Sequence, residues 1–212
     1  MSFSDQLSEL LPVDLPHRET VIAKAARHLD LIVEANQHFN LTRILDEREA
    51  AIKHVVDSVT PWRLFADAPE VFDVGTGAGF PGIPLAVALP EIRFTLVEST
   101  GKKARFVAAA AVDLDLANVD VMPRRAEEVL RTHQGVLITA RAVAPLDRAL
   151  DLLGPAVRVG SRALLYKGPD GEAEIDKATA ALRRHGVKAH LRQRYDLPDE
   201  LGSRTMVELA KR

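Results

Sequence analysis

A glycine-rich turn carries the strongest chemical signal in this sequence of 212 residues. The apolar run 70–74 predicts a buried strand, and that strand leads directly into Gly75, Gly77 and Gly79. Glycine lets the backbone turn tightly and lets a ligand approach to van der Waals contact. Because parallel sheets bind their ligands at the carboxyl ends of their strands, we expect a ligand site at this turn.

An acidic residue follows at a distance that suits a nucleoside. Glu98 lies at the end of the next predicted strand, 93–97, and 19 residues after Gly79. A carboxylate in this place accepts hydrogen bonds from the two ribose hydroxyls. The glycine turn and Glu98 together predict a site for an adenosine-containing ligand.

The spacing of the glycines fits two cofactors unequally. Gly77, Gly79 and Gly82 match the dinucleotide fingerprint G-x-G-x-x-G, but this frame starts beyond the strand end and includes Pro81. The frame G-x-G-x-G that starts at Gly75 begins at the strand end and is typical of S-adenosylmethionine methyltransferases, which seat no pyrophosphate. S-adenosylmethionine is therefore the preferred cofactor. Two alternatives stay open: an NAD-dependent oxidoreductase, and a non-enzymatic RNA-binding protein on the same fold.

Alternating strands and helices must position this turn. The predicted strands cover 70–74, 93–97, 119–122, 135–140, 162–166, 187–193 and 204–209. The predicted helices cover 18–35, 46–65, 83–89, 102–112, 124–132, 146–158 and 172–185. This order predicts an α/β fold with a doubly wound, mostly parallel seven-stranded sheet, the Rossmann-like class I methyltransferase type, whose last strand is inserted antiparallel. Residues 1–69 would form an N-terminal helical extension packed on the methyltransferase domain, 70–212.

Composition excludes several classes of protein. The chain has no cysteine, which rules out a disulfide scaffold, a thiolate metal site and a cysteine nucleophile. No two histidines have the spacing of a metal-binding pair, so no metal is expected. The net charge is −2, with −5 in residues 1–70 and +3 in 71–212, so a polyanion would meet a local basic patch in the second part. With no secretory signal and no apolar run near the ~20 residues of a membrane span, we expect a soluble cytoplasmic protein.

Several collinear segments carry a family resemblance. Residues 73–85 (DVGTGAGFPGIPL) contain the glycine turn, and 98–106 (ESTGKKARF) begin with Glu98. The other segments are 36–42, 53–58, 125–128, 140–142 and 166–168. In this order they resemble the RsmG (GidB) family, the bacterial 16S rRNA 7-methylguanosine methyltransferases. The chain departs from residues common in the family at Ala35, Ala78, Phe80, Glu98 and Thr205.

The resemblance implies an activity and most of a site. Members of this family transfer a methyl group from S-adenosylmethionine to N7 of a guanine in 16S rRNA. By resemblance, Gly75 and Phe80 would line the cofactor. Ala126 and Glu127 would flank its adenine, and Arg141 would face its methionine moiety or the substrate. Because guanine N7 carries a lone pair and no proton, we expect no general base, a nearly flat pH dependence from about pH 6 to 8.5, and an orienting role for Arg141.

Position alone also indicates that Arg141 is a site residue. It lies at the exit of the fourth predicted strand, where catalytic groups of this fold emerge. Other cations near the strand ends are candidates for RNA contacts, with solvated helix faces as the alternative. These candidates are Lys102, Lys103, Arg105, Arg124, Arg125 and Lys167. A structural or RNA-contact role is expected for His54. The expected partner is 16S rRNA or the small ribosomal subunit, with no membrane, and the protein is expected to be a monomer.

Overall fold

A seven-stranded sheet forms the centre of the molecule, which is a computed structural model that describes residues 2–44, 46–142 and 144–212. The strand order across the sheet is β3-β2-β1-β4-β5-β7-β6. The strands are β1 (Glu70–Val74), β2 (Arg93–Val97), β3 (Val119–Met122), β4 (Leu137–Arg141), β5 (Arg162–Lys167), β6 (Val187–Asp196) and β7 (Ser203–Lys211).

Strands β1 to β5 run parallel, and β7 is antiparallel to both of its neighbours, β5 and β6. A short connection joins β6 to β7, so the chain reverses there without a crossover helix. The predicted sheet, including its inserted antiparallel last strand, is therefore confirmed. In the register of β1 and β2, Val74 lies opposite Val97, which brings the glycine turn level with Glu98.

Helices cover both faces of the sheet. They are α1 (Phe3–Leu10), α2 (Arg18–Asn36), α3 (Glu47–Ala50), α4 (Asp57–Val59), α5 (Gly82–Ala88), α6 (Gly101–Asp113), α7 (Ala126–Thr132), α8 (Leu146–Arg158), α9 (Gly171–Lys177) and α10 (Thr179–His185). Val71 of β1 packs in an apolar cluster with α1, α2, α5 and α6, whereas Phe72 packs in a second cluster with α7, α8 and α10. Because both faces are buried, these strands consist of nearly continuous apolar runs.

The N-terminal helices differ from their prediction in two places. Helix α1 was not expected, although its start is visible in the sequence: the Ser2 hydroxyl accepts from the Asp5 N–H, and the Asp5 carboxylate accepts from the Ser2 N–H. The helix expected over 46–65 is a composite of α3, a π-helical turn (Ala51–Val56), α4 and a 3₁₀ turn (Trp62–Leu64). Helix α2 matches its predicted range to within one residue.

Hydrogen bonds that are buried or partly buried join this helical region to the far side of the sheet. The Tyr166 hydroxyl on β5 donates to the Ser58 carbonyl at 2.7 Å, and the Tyr195 hydroxyl on β6 donates to the Asp57 carboxylate at 2.9 Å. Residues 2–69 also share one apolar cluster with the sheet. The extension thus contributes side chains to the region where the strands end.

Two further observations complete the fold. The single helix expected over 172–185 is two helices, α9 and α10, which meet at Ala178. Among the residues that the structure describes, no helix is long and apolar enough to cross a membrane.

Candidate active site

The glycine loop after β1 presents bare backbone to open space. Gly75 and Gly77 have φ of +73° and +64°, in the left-handed region that favours glycine. A Cβ added to Gly75 would have no heavy atom within 4 Å, and one added to Gly77 would meet only the Gly75 carbonyl oxygen, at 3.9 Å. The space over this part of the loop is therefore free for a ligand.

Two other glycines of the same segment have a packing role. A Cβ on Gly79 would lie 2.6 Å from Cδ1 of Ile83 and 3.1 Å from Cε1 of His28. A Cβ on Gly82 would collide with the side chains of Leu96 and Asp73. Gly79 is thus buried and lets α5 and α2 approach the loop, and its contact with the cofactor stays a prediction.

Glu98 closes the loop from the neighbouring strand. Its Oε2 accepts from the Gly77 N–H at 3.1 Å, and its Oε1 accepts from the Thr100 N–H at 2.7 Å. The side chain is buried, yet each carboxylate oxygen has lone pairs left for a ligand hydroxyl. The carboxylate therefore has a fixed orientation beside the open part of the loop, as a ribose acceptor requires.

A second carboxylate lies beneath the loop. Oδ2 of Asp73 accepts from the Thr76 hydroxyl at 2.6 Å and from the Gly82 N–H at 2.9 Å. Burial raises the pKa of Asp73 to about 6, although these two hydrogen bonds act in the opposite direction. Asp73 thus ties the two ends of the glycine segment together. The sequence offered one signal for it, a charged residue inside an apolar strand.

Three aromatic rings lie side by side behind the loop. Phe80 is buried, and its ring centroid lies 4.8 Å from that of His28 and 4.7 Å from that of His54. His54 stacks on Phe80 at an interplanar angle of 8°. Nε2 of His28 lies 2.9 Å from the Ala78 carbonyl oxygen, which can only accept, so Nε2 carries the proton. The extension thus holds the glycine loop through His28.

Both histidines are neutral at physiological pH. Burial lowers the pKa of His28 to about 4. Burial, and then the positive charge of Arg141, lowers the pKa of His54 to about 3. His54 also contacts the Thr42 hydroxyl through Nε2 at 3.0 Å. Both rings therefore act as packed, neutral groups and not as acids or bases near pH 7.

Arg141 at the end of β4 is anchored by one edge of its guanidinium. Nη1 donates to the Lys53 carbonyl at 2.7 Å and lies 3.5 Å from the buried Asp57 carboxylate. The Lys53 carbonyl belongs to the π-helical turn, and such turns are frequent at functional sites. The guanidinium carbon lies 5.4 Å from the centroid of Phe80. Among the described residues, Nε and Nη2 have no hydrogen-bond partner, which leaves that edge for a substrate.

The residues expected to flank an adenine lie at the start of α7. Ala126 is half-buried and Glu127 is exposed. The Met122 carbonyl at the end of β3 accepts from the Glu98 N–H at 3.1 Å and from the Arg124 N–H at 2.9 Å. The loop that leads to Ala126 is therefore tied directly to Glu98.

Five of the six candidate RNA-contact cations lie at the surface, and one does not. Lys102, Arg105, Arg124 and Arg125 are exposed, and Lys103 is half-buried. Lys167, in contrast, is 5% exposed. Its ammonium pairs with Glu174 at 2.8 Å and donates to the Ala144 carbonyl at 2.9 Å. The expected RNA contact of Lys167 is therefore corrected: this residue fixes the loop that follows Arg141.

Within residues 2–44, 46–142 and 144–212, no three His, Cys, Asp or Glu side chains are grouped to hold a metal ion. The arrangement as a whole has the features of a binding site. It combines an open glycine loop, an oriented carboxylate and an arginine with one free edge, and these fit an adenosine-containing cofactor with a second reactant beside Arg141.

Comparison with known proteins shows what the chain is similar to. The model of the family described as rRNA small subunit methyltransferase G (GidB) matches residues 21–196. The chain is 63% identical over 209 residues to the Ribosomal RNA small subunit methyltransferase G of Solibacter usitatus, covering 99% of this chain and 100% of that protein.

Solved structures share the fold at low sequence identity. Cofactor-bound Rv0187 from MTB matches with a TM-score of 0.59 and 19% identity, covering 89% of each chain. Precorrin-6y C5,15-methyltransferase from Geobacter metallireducens matches with a TM-score of 0.56 and 13% identity, covering 84% of this chain and 96% of that one. The predicted class I methyltransferase fold is confirmed, and neither the NAD-dependent nor the non-enzymatic alternative is favoured.

Proposed function

The chain belongs to the rRNA small subunit methyltransferase G (GidB) family, and from that premise we propose that it transfers a methyl group from S-adenosylmethionine to N7 of a guanine in 16S rRNA. It is an S-adenosylmethionine-dependent rRNA methyltransferase. The observation that carries the proposal is the open glycine loop closed by Glu98, because it supplies a ribose acceptor beside bare backbone.

The chain's own residues would hold the cofactor at one end of the sheet. Gly75 and Gly77 would contact the cofactor through their backbone atoms. The Glu98 carboxylate would accept hydrogen bonds from the ribose hydroxyls, and Ala126 and Glu127 would flank the adenine. When bound, S-adenosylmethionine supplies a methyl group already activated on a sulfonium, and N7 brings a lone pair without a proton. The protein therefore has to orient the reactants and exclude water.

Arg141 is the orienting residue in this proposal. Its anchored edge fixes the guanidinium, and its other edge would contact the substrate. Its positive charge is offset only in part by the buried Asp57, because Arg204 contacts the same carboxylate at 3.3 Å. This partial offset matters because methylation of N7 places a positive charge on the purine, which a nearby cation opposes.

Glu98→Gln is expected to weaken binding of S-adenosylmethionine roughly 10- to 100-fold. The amide has one acceptor oxygen where the carboxylate has two, so the Gly77 or the Thr100 N–H would face a donor. The bonds to ribose would also lose their charge-assisted strength. Calorimetric titration measures the change. Glu91→Gln, in the exposed turn before β2, is the control; equal dissociation constants for the two variants would place the ribose elsewhere.

The product of the reaction tests the proposed function directly. Purified protein is incubated with S-adenosylmethionine and a 16S rRNA transcript or small subunits that lack the modification. We expect one 7-methylguanosine per RNA in the nuclease digest analysed by mass spectrometry. A methyl group on another atom or another base would contradict the proposal.

The partner is the small-subunit rRNA, which Lys102, Lys103, Arg105, Arg124 and Arg125 would contact from the exposed rim next to the glycine loop. Such a substrate supports action in the cytoplasm. A monomer is the assembly proposed, because the residues proposed to hold the cofactor all belong to one chain.

A further inference from the structure

A shallow depression lies on the surface where the extension meets α6. It measures about 270 Å³ and is lined by Phe39, Lys102, Arg105 and Phe106. Phe39 comes from the loop after α2, and the other three residues come from the first turns of α6. Proteins hold unpaired nucleotides with this combination, in which bases stack on aromatic rings and cations meet the phosphates.

The two cations of the depression are uncommitted. Lys102 and Arg105 are exposed, and in the described part of the chain neither makes an ion pair or donates a hydrogen bond to another side chain. Arg43, on the same loop as Phe39, is also exposed. A phosphate could therefore bind here without displacing an acidic partner.

The two rings, in contrast, are held in place. Phe39 and Phe106 are each half-buried and pack against the apolar cluster of α1, α2, α5 and α6. The ring of Phe106 stacks on His28 at 6.2 Å between centroids, and His28 contacts Phe80 at 4.8 Å. The ring of His28 thus separates the depression from the glycine loop. Because Phe39 and Phe106 are already held in place, they need little reordering to receive a base.

We propose that this depression binds an unpaired nucleobase of the RNA substrate other than the guanine that is methylated. The base would stack on Phe39, with flanking phosphates on Lys102 and Arg105. It is a second base because α6 follows β2, whereas Arg141 ends β4, and these strands lie on opposite sides of β1. The inference rests on the proposed function in taking RNA as the substrate.

Variants of Phe39 separate stacking from other roles. We expect Phe39→Ala to raise the dissociation constant for an unmodified 16S rRNA transcript about 10-fold, and Phe39→Tyr, which keeps a ring, to stay within about twofold of the unchanged protein. The dissociation constant for S-adenosylhomocysteine, measured by calorimetry, should be the same in all three proteins.

The cations are tested through the dependence of RNA affinity on salt. Arg105→Gln should reduce the slope of log K against log KCl concentration by about 0.7 to 0.9, the contribution of one phosphate contact. Phe39→Ala should leave the slope unchanged, because a ring releases no counterions. Arg183→Gln, at an exposed arginine of α10, is the matched control and should also leave it unchanged.

Several results would overturn the inference. These are Phe39→Ala binding the transcript as tightly as the unchanged protein, Phe39→Tyr binding as weakly as Phe39→Ala, or equal losses of RNA and cofactor affinity. A loss on assembled small subunits but not on the naked transcript would also overturn it, and would indicate a ribosomal protein as the occupant. If the unchanged protein forms no 7-methylguanosine while Phe39→Ala still weakens RNA binding, the proposed function fails and the stacking site stands.

Discussion

We expect the Gly77→Val protein to fold and to lose binding of S-adenosylmethionine by about 100-fold or more. The added side chain would project into the space over the glycine loop, where the only heavy atom within 4 Å of the added Cβ, apart from the adjacent residues, is the Gly75 carbonyl oxygen. That space is where the cofactor has to lie. The Gly77 N–H is also bound to Glu98, so a displaced residue 77 would disturb the ribose acceptor as well.

Backbone strain alone could weaken the protein, and a matched variant separates the two effects. Gly135, before β4, has φ of +72° and, like Gly75, no heavy atom within 4 Å of an added Cβ. Gly135→Val therefore carries a strain similar to that of Gly77→Val, on the order of 1–3 kcal/mol, at a place without a ligand. Both variants should melt at a similarly reduced temperature, but only Gly135→Val should keep its cofactor affinity.

Circular dichroism during heating and calorimetric titration provide these two measurements. A well-folded Gly77→Val protein that binds the cofactor tightly would show that the ligand does not approach this face of the loop. Loss of binding in both variants would show that general destabilisation, and not the added side chain, is responsible.

The sheet was predictable because burial on both faces leaves a simple pattern. β1, β2 and β3 have the predicted bounds, since each is a short apolar run between polar turns. The antiparallel β7 followed from the absence of a helical stretch between the last two strands. The position of Glu98 beside the glycine turn was also predictable, because the end of a strand and a glycine-rich turn can both be recognised in the local sequence.

What escaped prediction depends on contacts between distant parts of the chain. From its position at a strand end, Lys167 was predicted to be an exposed cation. In the folded chain it is buried and pairs with Glu174 on the following helix. The π-helical turn was not predicted, and its Lys53 carbonyl accepts from Arg141 of β4, which is distant in the sequence. His28 lies on the apolar face of a correctly predicted helix, yet only the folded chain brings it to the Ala78 carbonyl.

Neither His28 nor His54, the two histidines packed near Arg141, changes its protonation state near neutral pH. His28 and His54, with pKa values lowered to about 4 and about 3, are already neutral above pH 5 and do not titrate on further addition of base. Their folded pKa values lie below the ordinary 6.5, so the free energy of unfolding falls as the pH drops from about 6.5 toward 4. Asp73, with its pKa raised to about 6, changes the free energy of unfolding in the opposite sense. Because Asp73 gains a proton near that pH, the methylation rate is compared only above about pH 6.5. The single-turnover rate should therefore be nearly flat from about pH 6.5 to 8.5.

The absence of a required base leads to the prediction with the largest effect. A 16S rRNA transcript made with 7-deazaguanosine in place of guanosine should bind the enzyme but accept no methyl group. The replacement exchanges N7 for C–H and removes the nucleophilic lone pair, while the Watson–Crick edge that folds the RNA is kept. No side chain near Arg141 could compensate, because orientation accelerates only a reaction whose nucleophile is present.

A transcript made with 7-deazaadenosine is the matched control, since it changes the same ring position in the other purine. It should be methylated at the rate of the unmodified transcript under saturating RNA and cofactor. Transfer to the 7-deazaguanosine transcript at a normal rate would mean that another atom accepts the methyl group. If that atom carries a proton, the rate should then climb with pH, because a base would be needed to remove it. The deazapurine transcripts and the pH dependence of the rate thus test the same claim. The claim is that the protein brings N7 to an activated methyl group and that Arg141 orients the substrate without exchanging a proton.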